Sequence, residues 1–233
     1  MTLAALTNLP PAFWGIATLG LYGLARLIYA RKRRWWSSPL LVAWLACLAL
    51  AFALRVSYAD YLRGTSWLLS LLGPATVAFA LPIYEQRHFI RRHWPVLAVG
   101  VLAGSTVAIV SSWLLAKSFS LPPDLERSLV AHSITTPFAM TVASGIGGIP
   151  QIAAVSTAVT GLLGAVIGDG LLKYLPLRSS FARGALFGMG AHGVGVAKAY
   201  ELGQEEGSIA GLVMILAGLT NVAASPLIAA ALT

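Results

Sequence analysis

The chain has 233 residues, of which 58% are hydrophobic and only 10% are charged. Because about a quarter of the residues of a soluble domain are charged, this composition excludes a soluble protein and predicts a polytopic, all-α transmembrane helical bundle. The net charge of +8 does not indicate a nucleic-acid partner, because the basic residues form short clusters between apolar runs rather than one solvated basic face.

Apolar runs of about 20 residues, long enough to cross a bilayer, recur along the chain. They predict about six full spans, at residues 12–30, 39–57, 66–84, 95–117, 150–172 and 208–231. Two further runs, 130–149 and 184–200, are rich in proline or glycine and predict broken or re-entrant helices. Backbone groups released by such breaks must be buried in protein or line a polar cavity. We expect residues 1–233 to form a single membrane domain.

The basic residues predict the orientation of the chain in the membrane. Three clusters lie between the apolar runs: Arg31 to Arg34; Arg87, Arg91 and Arg92; and Lys173, Arg178 and Arg183. Because cytoplasmic loops carry an excess of lysine and arginine, these clusters are expected to face the cytoplasm. This predicts a multi-pass protein of the inner (cytoplasmic) membrane with its N-terminus outside.

The first broken run carries the main candidate binding residues. Thr135 and Thr136 precede Pro137, which suits the first turn of a half-helix. Thr136 would then be the N-cap, and the positive end of the helix could bind a carboxylate. The alternative is that both threonines only satisfy the broken backbone. Gly147 and Gly148 would form the link between half-helices or allow close helix packing.

A short similarity links this run to an earlier one. Residues 74–78 read Pro-Ala-Thr-Val-Ala, and residues 137–143 read Pro-Phe-Ala-Met-Thr-Val-Ala. Interrupted segments at corresponding positions of two halves indicate a possible inverted repeat with a site near the midplane. This places Thr76 among the candidate substrate-binding residues.

His192 is the sharpest single candidate for a substrate-binding residue. It stands between Gly190 and Gly193 in an apolar run, and an ionisable side chain at membrane depth is a functional candidate by default. Its ring could hydrogen-bond a carboxylate or carry a coupled proton. The alternative is a histidine that holds the broken backbone together.

Three other charged residues are candidates for gating or coupling. Lys198 could instead extend to the membrane interface. Asp169 is expected to form an ordinary helical ion pair with Lys173, four residues later. Glu201, together with Glu205 and Glu206, is expected to form a solvated rim unless it contacts a partner.

Several strings together resemble the LrgB/CidB (antiholin-like) family of membrane proteins. The strings are Leu72–Pro82, Thr135–Met140, Gly147–Pro150, Ala191–Ala197 and Glu201–Gly211. They occur in the expected order and define a family-like core of about residues 65–222, which follows N-terminal spans at residues 1–62. Two departures from the family pattern stand out. His132, a further gating candidate, occupies the place of a lysine, and Asp169 that of a proline.

The resemblance implies two alternative functions. It extends to the plastid glycolate/glycerate translocator and to bacterial pyruvate facilitators, which implies transport of a small carboxylate of the pyruvate, lactate or glycolate type. Members are also described as antiholin-like regulators of murein hydrolase export and cell lysis, which would act as membrane oligomers. Either function implies membrane lipid, an LrgA/CidA-like small membrane protein and other copies of the chain as partners.

Enzyme, metal and cofactor functions find no support in the sequence. It contains no metal-ligand spacing of histidine, cysteine and glutamate, no phosphate-binding glycine loop after a strand and no nucleophile elbow. Because an oligomer of associating spans has no need of proline-broken helices, the sequence favours a carrier that works by alternating access, with its site at the broken helices.

Overall fold

The computed structural model describes residues 10–32 and 37–232, and this part of the chain is helical with no strand. Arg33 and Arg34 of the first basic cluster lie outside the described residues. The chain divides into two compact units, one ending at Ala75 and the other beginning at Thr76. The expectation of a single membrane domain stays a prediction.

The first unit is built on three helices and the start of a fourth. They are α1 (Pro11–Arg31), α2 (Pro39–Ala53), α3 (Tyr58–Ser70) and α4 (Leu72–Ala78). Thr18 and Tyr61 share a hydrogen bond of 2.8 Å between their hydroxyl groups, which joins α1 to α3. Ser57 caps α3 by accepting a hydrogen bond from the backbone N–H of Asp60.

The second unit contains the remaining helices. They are α5 (Ala80–Glu85), α6 (Arg87–Ser118), α7 (Pro123–Val130), a 3₁₀ turn (Ala131–Ser133), α8 (Thr136–Gly145), α9 (Pro150–Tyr174), α10 (Ser180–Leu202) and α11 (Gln204–Ala231). Helix α11 supplies many of the buried residues of this unit. Asn221 of α11 donates a hydrogen bond of 2.8 Å to the hydroxyl of Ser105 on α6, a polar contact of the kind that joins helices in membranes.

The predicted bundle of membrane spans is confirmed. Five helical runs are long and apolar enough to cross a bilayer, and α2 is a shorter apolar helix; the five are Ala12–Arg31, Tyr58–Glu85, Arg87–Ser118, Pro150–Tyr174 and Gln204–Ala231. The third predicted span, 66–84, lies in a run made of α3, α4 and α5, which is interrupted at Leu71 and Phe79. The chain is therefore a multi-pass membrane protein.

The first predicted break forms a helical hairpin. The hydroxyl of Ser128 on α7 accepts a hydrogen bond of 2.7 Å from the backbone N–H of Ile149, just before α9. The chain between these two residues therefore leaves this end of α9 and comes back to it. Helix α8 has 10 residues and is about 15 Å long, half of a bilayer core. We call residues 123–149 the first hairpin.

The second predicted break forms another hairpin inside α10. The backbone oxygen of Phe187 lies directly against Gly195, so the two halves of α10 pack on each other with His192 between them. Both halves also pack on the first turns of α11: Gly184 against Glu206, and Tyr200 against Gly207. We call residues 180–202 the second hairpin. It corresponds to the predicted break at 184–200.

The two hairpins enter the second unit from opposite ends. The base of the first lies beside Ile149, where α9 begins, whereas the second follows the end of α9 at Tyr174. The tip of the second hairpin lies against Gly161, near the middle of α9. These two hairpins are therefore inverted relative to each other, whereas the predicted repeat between the segment 72–82 and the first hairpin stays a prediction.

Candidate functional site

The tip of the second hairpin is a strained turn at His192. Its backbone has φ 46° and ψ −129°, a region that residues with a side chain rarely adopt. Such a conformation costs about 1–3 kcal/mol and persists only where the surrounding structure enforces it. His192 is only 3% exposed, so the strained residue is enclosed by protein at the middle of the unit.

Small residues of α9 allow the tip to come this close. A β-carbon on Gly161 would lie 3.3 Å from the backbone oxygen of Ala191, and one on Gly164 would overlap the backbone oxygen of Gly190. One helical turn earlier on the same face lies Thr157, which is 4% exposed. This face of α9 therefore brings a hydroxyl group to the level of the hairpin tips.

The first hairpin meets the second at Ser133. This residue ends the 3₁₀ turn, and its backbone is hydrogen-bonded by the ring of His192. The tips of the two hairpins therefore contact each other inside the second unit.

Three polar groups are buried in this region without a hydrogen-bond partner among the described residues. They are Nε2 of His192, Oγ of Ser133 and Oγ1 of Thr157. Each unsatisfied group of this kind costs about 1–3 kcal/mol, and few are tolerated in a native structure. Three such groups on neighbouring elements make this region the candidate binding site.

The start of α8 adds backbone donors to the same region. Thr135, not Thr136, is the N-cap, so the predicted capping residue is wrong by one position; Thr136 is the first helical residue and Pro137 the second. No side-chain cap is present at this N-terminus. The first turn of α8 therefore leaves N–H groups and the positive end of its dipole near the hairpin tip, where an anion is stabilised.

The other predicted substrate-binding residues lie elsewhere in the second unit. Gly147 has φ 80°, and a β-carbon on Gly148 would lie 2.8 Å from the backbone nitrogen of Ser128. Both glycines therefore form the tight turn at the base of the first hairpin, away from its tip. Thr76 is half-buried on α4, one turn before Phe79, whose ring lies 5.7 Å from that of Phe138 on α8.

The structure brings three of the four predicted gating residues together. Lys198 Nζ lies 3.4 Å from Oδ1 of Asp169 and 3.2 Å from Oε2 of Glu201. The expected pair of Asp169 with Lys173 is therefore replaced by an ion pair that joins α9 to the second hairpin. His132 lies at the other tip, where its Nδ1 is 2.7 Å from the backbone oxygen of Leu129.

Glu206 corrects the expectation of a solvated acidic rim. Its side chain is buried and forms an ion pair of 2.5 Å with Arg183. Arg183 also donates to the backbone oxygens of Leu177 and Arg178, so it holds the base of the second hairpin to α11. A buried ion pair of this kind is costly to break, because the remaining charge stays uncompensated.

Ser133 and Thr157 were not predicted as site residues. Ser133 directly precedes the predicted threonines, and its proximity to the break was the only signal available. Thr157 stands in an uninterrupted apolar helix, where a threonine usually bonds to its own backbone. The assignment of substrate contacts to Thr135, Thr136, His192, Thr76, Gly147 and Gly148 stays a prediction.

Comparison with known proteins identifies related chains. The LrgB-like family model matches residues 18–231. The chain is 40% identical to Uncharacterized protein YwbG of Bacillus subtilis (strain 168) over 218 residues, which cover 92% of this chain and 97% of that protein. Antiholin-like protein LrgB of the same organism is 28% identical over 221 residues, covering 94% and 96% of the two chains. No solved structure matches.

Proposed function

The chain belongs to the LrgB-like family, and on this premise we propose that it is a membrane carrier for small monocarboxylates of the pyruvate, lactate or glycolate type. The observation that carries the proposal is the meeting of two hairpins from opposite ends around His192, Ser133 and Thr157. The proposed activity is transport by alternating access, without a chemical reaction on the substrate.

The hairpin arrangement supports alternating access. A ligand at the tips is separated from one side of the membrane by the first hairpin and from the other side by the second. Movement of one hairpin at a time would expose the same site to each side in turn, as in transporters built from inverted repeats. An assembly surface made of associating spans does not require such half-membrane elements.

The chemistry of the site supports a small acid with one carboxylate. The N–H groups at the start of α8 and the hydroxyls of Ser133 and Thr157 can donate to carboxylate oxygens. His192 Nε2 can donate to them or accept a proton that travels with the substrate. These donors carry partial charges or a single titratable charge, which suits a monoanion.

The positions of the basic residues support the predicted orientation. Gln86, at the start of α6, donates a hydrogen bond of 3.3 Å to the backbone oxygen of Ser208 near the start of α11. Arg183 pairs with Glu206 at the same end of α11. The basic clusters around these contacts therefore share one end of the second unit, and we assign this end to the cytoplasm. The inner membrane, an outside N-terminus, an LrgA/CidA-like partner and homo-oligomerisation remain part of the proposal.

The name of one relative, antiholin-like protein LrgB, favours a second candidate function. In that case the chain would regulate murein hydrolase export and lysis through membrane permeability. The buried hydroxyls would then be structural, and small solutes would cross without saturation. The two functions therefore predict different fluxes through the purified protein.

The test is uptake into proteoliposomes that hold this chain, with and without an LrgA/CidA-like partner. We expect saturable uptake of pyruvate or glycolate without loss of a larger trapped dye. His192→Ala and Thr157→Val should reduce uptake at least about tenfold, the loss of one strong hydrogen bond. Thr141→Val is the matched control, because Thr141 is exposed on α8 and bonds only to its own helix. Dye leakage, or no carboxylate flux in either preparation, would contradict the carrier proposal.

A further inference from the structure

The first unit contains an apolar groove that the proposed transport site does not use. It has a volume of about 520 Å³, within the usual range for ligand sites in proteins. It lies between α2 and the beginning of α3, and most of its wall is apolar. The residues that define it are Trp44, Leu48, Phe52, Arg55, Tyr58 and Tyr61.

The groove exists because α2 is short. This helix has 15 residues and is therefore about 22 Å long, whereas a bilayer core is about 30 Å thick. It ends at the turn around Arg55, whose φ of 50° breaks the helix. A span shorter than the bilayer must be compensated at its end, and here the groove follows the second half of α2 to the turn at Arg55 and the start of α3.

Arg55 is the one basic residue that lines this groove. The acidic group of the same turn is already occupied: Asp60 pairs with Arg63 at 2.9 Å and accepts a hydrogen bond of 2.6 Å from Ser57. Among the described residues, Arg55 forms no ion pair. A guanidinium beside an apolar groove at the end of a membrane span lacks an anion, and its planar fork matches the two oxygens of a phosphate.

We propose that this groove binds one glycerophospholipid molecule of the surrounding membrane. The lipid phosphate contacts the guanidinium of Arg55, and one acyl chain lies along Trp44, Leu48 and Phe52. Tyr58 is amphipathic and lies at the headgroup level, as aromatic residues do at membrane interfaces. The lipid fills the space beyond the end of α2 and so completes a span that is too short. This inference does not depend on the transported substrate.

The test uses quenching of Trp44 fluorescence by a phospholipid with a brominated acyl chain. The purified full chain is titrated with brominated phosphatidylglycerol in detergent, and the same titration of Trp44→Phe is subtracted to isolate the signal of Trp44. We expect saturable quenching at this position. Unlabelled phosphatidylglycerol should reverse the quenching, whereas diacylglycerol, which has the chains but no phosphate, should not.

The role of Arg55 is tested with a matched pair of variants. Arg55→Gln should weaken the binding of the brominated lipid about tenfold or more, the loss expected for a charge-assisted hydrogen bond. Arg63→Gln removes an equal charge from α3, outside the groove, and it should bind as the unaltered chain does. Non-saturable quenching, or equal weakening in both variants, would mean that only bulk lipid reaches Trp44 and would overturn the proposal.

Discussion

The Nζ atom of Lys198 lies 3.4 Å from Oδ1 of Asp169, so an ion pair joins the returning half of the second hairpin to α9. Lys198 also contacts Glu201 on its own helix. The pair is partly exposed, with side-chain exposures of 30% and 47%. Ion pairs of this kind contribute at most about 1 kcal/mol to stability. A contact that adds little to stability but connects a hairpin to a long span is suited to control movement.

We expect the variants Asp169→Asn and Lys198→Met to change the initial rate of carboxylate uptake while the unfolding temperature stays nearly constant. The reason is that either change releases the second hairpin from α9 without exposing a buried charge. The double variant should have the same initial uptake rate as the more affected single variant, because both changes remove the same contact. Additive effects on the rate would show that the two residues act separately.

His192 allows backbone strain to be separated from side-chain function. Glycine adopts φ 46° and ψ −129° without strain, whereas alanine does not. We therefore expect His192→Gly to unfold at a temperature at least as high as that of the unaltered chain, with a gain of about 1 kcal/mol in the free energy of unfolding. His192→Ala should unfold at a lower temperature. Both variants should lose uptake, because both lack the ring.

The measurement is thermal unfolding of the purified variants in detergent, followed by uptake in proteoliposomes. A glycine variant that unfolds well below the unaltered chain would mean that the His192 ring itself supports the tip. A glycine variant that unfolds below the alanine variant would mean that the turn is not strained. A glycine variant that keeps full uptake would remove His192 from the site.

The sequence predicted the breaks well because their causes are local. Prolines and glycines alone located both hairpins to within a few residues, and the glycines around His192 marked the tip. The partners of the charged residues could not be predicted in this way. Asp169 has a suitable partner four residues away in Lys173, but the reversal of the chain within α10 brings Lys198 to within 3.4 Å of it. Contacts between distant segments depend on tertiary packing, which periodicity does not report.

Thr157 shows the same limit for the candidate site. A threonine in an apolar helix normally returns its hydroxyl to the backbone one turn earlier, as Thr141 does. Only the packing of the two hairpin tips on α9 reveals that the hydroxyl of Thr157 is buried and has no partner in the part of the chain that the structure describes. The side chain can be identified as a site residue only after the hairpins are placed.

The hydroxyls of Ser133 and Thr157 should contribute to substrate binding and not to stability. Because neither hydroxyl has a partner among the described residues, Ser133→Ala and Thr157→Val remove a buried unsatisfied group and should leave the free energy of unfolding unchanged or raise it by about 1 kcal/mol. Uptake should become weaker through a higher KM. Denaturant or thermal unfolding and substrate titration check both parts.

Ser128→Ala is the control for these two variants. Its hydroxyl donates to the backbone oxygen of Asp124 at 2.5 Å and accepts from the N–H of Ile149. Its loss leaves a buried N–H without a partner, so we expect the free energy of unfolding to fall by about 1–3 kcal/mol. If Ser133→Ala or Thr157→Val destabilised the protein as much as Ser128→Ala, the tip hydroxyls would be structural.

Cysteine labelling tests whether the two hairpins return to the side they enter from. In a Cys47→Ala background, which removes the one natural cysteine, Ser120→Cys lies just before the first hairpin and Ser144→Cys lies near the end of its returning half. Both should react with a membrane-impermeant maleimide from the same side, because Ser128 and Ile149 hold its two ends together. Arg178→Cys and Glu205→Cys flank the second hairpin and should both react from the opposite side. If 130–149 or 184–200 were a full crossing, the two cysteines of that pair would react from different sides, and the site at the hairpin tips would lose its basis.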